Sequence, residues 1–117
     1  MADVHYRGRI EVSPTAIVSI ASEAVLGCYG VVGTADRDLA TGIANVLSHD
    51  RRRGISVQVK DGQIIIDVYI IVEYGTRIAA VARSVMNVVQ FNVERALGVP
   101  VAEVNVHVAG LRVSNVD

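Results

Sequence analysis

The chain has 117 residues, 51% of them hydrophobic, which suits one domain with its own core and leaves no room for two of ordinary size. Eleven Lys and Arg against twelve Asp and Glu give a net charge of −1, so no whole-molecule field draws the chain to a polyanion, which argues against nucleic acid as a partner. One cysteine, Cys28, excludes an intramolecular disulfide and a cysteine-built zinc cluster, and no stretch approaches the roughly 20 apolar residues of a membrane span.

The opening "MADVHYRGRIEV" lacks the apolar run of a signal peptide, so a reducing, cytoplasmic setting is expected, with any membrane association borrowed from a partner. Residues 7–12 read as a short strand in which Ile10 and Val12 point the same way. Ser13 then offers an N-cap and Pro14 a first helical residue, opening a helix whose apolar face carries Ile17, Ile20, Ala21, Ala24 and Cys28, with Gly27 and Gly30 at its end. "GVVG", residues 30–33, admits two readings: a buried segment whose valines enter the core between flexible glycines, or a loop that clamps a nucleotide backbone as in KH domains. The acidic sequel, Asp36 and Asp38 against only Arg37, favours the first. Asp38 is placed to cap a second, short helix, which Gly42 weakens by about 1 kcal/mol relative to alanine. "HDRRRG" follows, where Arg51, Arg52 and Arg53 read as a solvated turn or as a patch for an acidic protein or an anionic headgroup layer, with RNA third.

Two β-rich runs joined by Asp61-Gly62 form a hairpin, since that dipeptide readily takes the positive φ angles of a tight turn. In the first strand Ile55, Val57 and Val59 share a face; in the second, Ile64, Ile66, Val68, Ile70 and Val72 do. The other side of the second strand holds Ile65, Asp67, Tyr69, Ile71 and Glu73, more apolar than a wet face needs, which marks a covered or contacting surface. A long helix over 76–98 follows, with Ile78, Ala82, Val85, Val89, Val93 and Ala96 at helical spacing, Asn92 close to the centre of that stripe as a core amide, and Phe91 pointing away from it. The last strand, "VAEVNVHVAGLRV", alternates Val104, Val106 and Val108 with Asn105, His107 and Ala109.

The expected fold is therefore α+β: one domain over 1–117, a small mainly antiparallel sheet with a central hairpin, packed against two to three helices in the order β-α-(β)-α-β-β-α-β. Catalytic patterns are missing. His5, His49 and His107 fall in separate elements without a metal-ligand spacing, Ser13, Ser19 and Ser22 are accounted for by helix capping and a polar helix side, and the glycines make no dinucleotide fingerprint. Asp67 and Glu73 share a face but stand about 20 Å apart, beyond the reach of an acid–base pair. No enzyme activity, cofactor or metal is expected. The residues expected to make contacts are Ile65, Asp67, Tyr69, Ile71, Glu73 and Phe91.

"GRIEVSP" before a helix, "YGVVG", "DGQIIIDVYIIVEYG" and above all "VAEVNVHVAGLRV" resemble the alkaline shock, or envelope stress response, protein family of bacteria over nearly the whole chain, residues 8–113. The resemblance implies a small α+β domain without known catalysis that associates with itself. In some members a separate membrane-anchor protein holds it at the inner face of the membrane, and a fatty acid kinase of the dihydroxyacetone-kinase type is an implied partner. An RNA-binding KH-like module using the GVVG segment with Arg51, Arg52 and Arg53 is the alternative.

Overall fold

A computed structural model describes residues 12–35 and 54–113. The short helix expected after Asp38, the strand expected at 7–12 apart from Val12, His5, His49, and Arg51, Arg52 and Arg53 lie outside them. The described elements are helix α1 (Pro14–Leu26), strands β1 (Val31–Thr34), β2 (Ile55–Lys60) and β3 (Gln63–Glu73), helix α2 (Ile78–Leu97) and strand β4 (Glu103–Arg112), an α+β fold in the expected order.

Ser13 starts α1 as its sequence suggests, its Oγ accepting from the Ala16 amide at 3.2 Å, and Pro14 occupies the first turn where an amide proton has no helical partner. The buried stripe is Ile17, Val18, Ala21, Ala24 and Val25. Ile20 and Cys28, expected on that stripe, sit at its flank and are only partly buried against the core.

β3 is the axis of the sheet, because β1, β2 and β4 all pair with it. The hairpin with β2 closes at Asp61 (φ 52) and Gly62 (φ 76), the two successive positive angles of the favoured two-residue turn. β1 and β2 lie end to end along one edge of β3, since the Tyr69 carbonyl accepts from Ala35 at 2.9 Å and the Tyr69 amide donates to Gly54 at 2.7 Å on that same edge. β4 takes the other edge and runs parallel to β3, reached by the α2 crossover. The sheet is thus mainly antiparallel with one parallel pairing.

One face of the sheet is core. Ile64, Ile66, Val68, Ile70 and Val72 of β3 are buried beneath the helices, joined by Ile55 and Val104. α2 meets them with Val81, Val85, Val89 and Val93, so its buried stripe is turned from the expected one: Ile78 is 38% exposed and Ala96 is exposed. Asn92 is half-buried rather than a core amide. No polar side chain is buried among the described residues, so whatever chemistry they carry lies on a surface.

The passage from α2 to β4 is pinned by Glu94, whose Oε2 accepts from the partly buried Val101 amide at 2.8 Å. Replacing Glu94 with alanine strands that amide and is expected to cost about 1–2 kcal/mol in chemical denaturation, with Glu94→Gln recovering most of it because an acceptor oxygen remains.

Candidate functional site

Strand alternation sends every second residue of β3 away from the helices: Gln63, Ile65, Asp67, Tyr69, Ile71 and Glu73. The parallel register sets β4 beside them rung by rung, Glu103 opposite Ile65, Asn105 opposite Asp67, His107 opposite Tyr69, Gly110 opposite Ile71 and Arg112 opposite Glu73. β2 adds Ser56, Gln58 and Lys60 on the other edge. No described helix covers this face.

Its centre is a hydrogen-bonded polar group flanked by apolar side chains. The Asp67 Oδ1 lies 3.1 Å from the His107 Nε2, and the Asn105 Nδ2 donates to the same oxygen at 3.2 Å and to the Glu103 Oε2 at 2.9 Å. The Tyr69 and His107 rings stack with centroids 4.4 Å apart and planes 13° from parallel. The side chains of His107 and Asp67 are 44% and 22% exposed, so their pairing adds at most about 1 kcal/mol to folding. Its weight would grow only if the face were covered.

Ile71 has an unusual setting. The registers of β1 and β4 with β3 both slip beside it, and the cross-strand neighbours that result are glycines, Gly33 on one side and Gly110 on the other. Ile71 therefore has no side chain beside it in either strand, and it is half-buried. Sequence reasoning thus placed Ile65, Asp67, Tyr69, Ile71 and Glu73 on one surface, and the structure brings them together. It does not bring Phe91, which lies on the outer side of α2, 60% exposed with the Arg95 guanidinium 6.0 Å from its ring centroid. Glu103, Asn105 and His107 were missed as site residues. The motif "EVNVHV" was their only signal, since their pairing spans 38 and 40 residues of chain.

The GVVG segment is not an exposed loop. Residues 31–34 form β1, the Gly30 carbonyl accepts from the Glu73 amide at 2.9 Å, and Val31 packs against the core while Val32 stays half-exposed. A groove of about 910 Å³ between α1 and α2 is lined by Ile20, Ala24 and Val88 with Glu23, Cys28 and Arg95 among its polar groups. Among the described residues it holds a single carboxylate, Glu23, and no histidine. Burial pushes the Cys28 thiol up from its ordinary value, and its Sγ donates to the Ala24 carbonyl at 3.3 Å, which suits a packing residue and not a nucleophile. Among the described residues no group of three or more His, Cys, Asp or Glu could hold a metal ion, and no helix is long and apolar enough to cross a membrane.

Fold and site together describe a small α+β domain with helices on one side of its sheet and a mixed apolar and polar surface on the other. The chain belongs to the alkaline shock protein 23 family, a family of cell envelope-related function, whose profile matches residues 3–113. It is 39% identical over 110 residues to the uncharacterized protein YloU of Bacillus subtilis, covering 92% of each chain. It is 32% identical over 96 residues to a stress response regulator gls24 homolog of Streptococcus pyogenes, covering 82% of this chain and 52% of that one. Among solved structures, two variants of the MamM CTD superimpose with TM-scores of 0.51 and 0.50 at 14% and 15% identity, covering 88% and 86% of this chain and 95% of each of those, a likeness of fold alone.

Proposed function

We propose that this chain is a non-catalytic interaction module of the envelope stress response type that associates with further copies of itself through the open face of its sheet. The observation that carries the reading is the outer row of β3, where Ile65, Tyr69 and Ile71 share a surface with Asp67 and Glu73 that no described helix covers. Apolar side chains there supply contact area, and the charged ones supply orientation. Both signs are present: Lys60 and Arg112 against Asp67, Glu73 and Glu103. A face of one sign would repel its own copy. Here a two-fold axis across β3 at the Tyr69–His107 rung brings Arg112 of one copy toward Glu103 of the other. Family membership supports the setting at the cell envelope.

The test is sedimentation velocity of the intact chain beside Tyr69→Asp and Ile71→Asp. Both positions lie outside the buried core, so the variants keep their circular dichroism spectrum while self-association weakens by at least about tenfold, the effect of one poorly solvated charge at a contact. Unchanged association in both variants removes this face from consideration.

A further inference from the structure

We infer that assembly through this face is coupled to the protonation of His107. The inference rests on the self-association proposed above and concerns its regulation. His107 touches Asp67 through Nε2 at 3.1 Å and lies flat against Tyr69, so an imidazolium there meets a carboxylate on one side and an aromatic face on the other. Among the described residues, the charged and titratable groups on the face are Asp67, Tyr69 and Glu73 from β3, Glu103 and Arg112 from β4, and Lys60 from β2, and β1 contributes none.

A covered Asp67 loses water without a cation in contact to compensate it. Protonation of His107 removes that cost, so a face carrying an imidazolium assembles more readily than one carrying a neutral imidazole. By linkage, association is strongest on the acid side of the histidine range and declines as pH rises through it. Of the side-chain types on the face, imidazole is the one whose charge ordinarily changes between about pH 6 and about pH 8.5.

The experiment is sedimentation velocity of the intact chain at about pH 6 and about pH 8.5 at constant ionic strength, with His107→Gln in parallel. Glutamine keeps a donor for Asp67 and cannot take up a proton. The expected result is association weakened by at least about tenfold at the higher pH in the natural chain, because each linked proton changes the constant by up to about tenfold per pH unit, and a flat response in His107→Gln. Association that is equal at both pH values overturns the coupling and leaves the interface standing. A pH response that persists in His107→Gln also overturns it, assigning the response to another group. A chain that stays monomeric at every pH sinks the interface reading and this inference with it.

Discussion

Gly54→Ala is expected to be the most damaging glycine substitution among the described residues. Gly54 has a φ of +94°, and a Cβ built there would collide with the Ala35 carbonyl oxygen and lie 3.1 Å from its carbon. Neither backbone is free to withdraw. Ala35 donates to the Tyr69 carbonyl and Gly54 accepts from the Tyr69 amide, so the two hold one residue of β3 at the junction where β1 ends and β2 begins. Positive φ alone costs an L-residue about 1 kcal/mol, and the collision with backbone adds more, for a total on the order of 3 kcal/mol or a fall of about 10–20 °C in Tm. Gly33 is the control, since nothing lies within 4 Å of its added Cβ and its φ is not positive. Thermal unfolding by circular dichroism should place Gly33→Ala within about 0.5 kcal/mol of the natural chain. Equal stability of the two variants would show that the Ala35–Gly54 approach is not part of the fold.

Nothing around Gly54 in the sequence announces this. It reads as the end of "HDRRRG", because the constraint comes from Ala35, across a segment of chain and a third strand. The same distinction separates what was legible from what was not. The turn and second strand of the β2–β3 hairpin were legible, since Asp61-Gly62 and the alternation of Ile64 through Val72 are local signals that a two-residue turn and a half-buried strand impose on their own residues, whereas in β2 only Ile55 of the expected buried face is buried and Val59 is 59% exposed. The cap at Ser13 was legible for the same reason. The phase of α2 was not, as a run containing Ile78, Val81, Ala82, Val85, Val88, Val89 and Val93 fits more than one stripe, and contact with α1 and β4 selects among them. Least legible was the site itself. Parallel pairing carries no turn signal, so a strand that joins through a crossover helix leaves its register open. Without that register, Asp67, Tyr69, Asn105 and His107 are four residues in two distant strands rather than one hydrogen-bonded and stacked group.

Stepping one residue along β3 should exchange one kind of loss for another. Ile66 is fully buried, paired between Val57 of β2 and Val104 of β4, and its truncation to alanine leaves a void under both helices that the surrounding valines fill poorly. Such a change costs about 3–4 kcal/mol, a large part of the stability of a domain this size, and chemical denaturation should show the midpoint falling with little change in slope. Ile65, the next residue back, is only partly buried and points to the open face between Gln58 and Glu103. Its truncation removes contact area that the isolated chain never fully covers, so the expected loss of stability is under about 1 kcal/mol. In sedimentation the order reverses at concentrations and temperatures where both variants are folded: Ile65→Ala weakens self-association and Ile66→Ala leaves it near that of the natural chain. This reversal requires that the two faces of β3 do different work. A strand buried on both sides by elements of its own chain would instead lose stability at either position and show no separate effect on association. Comparable destabilisation by both substitutions would therefore count against an open face, however folded each variant remained.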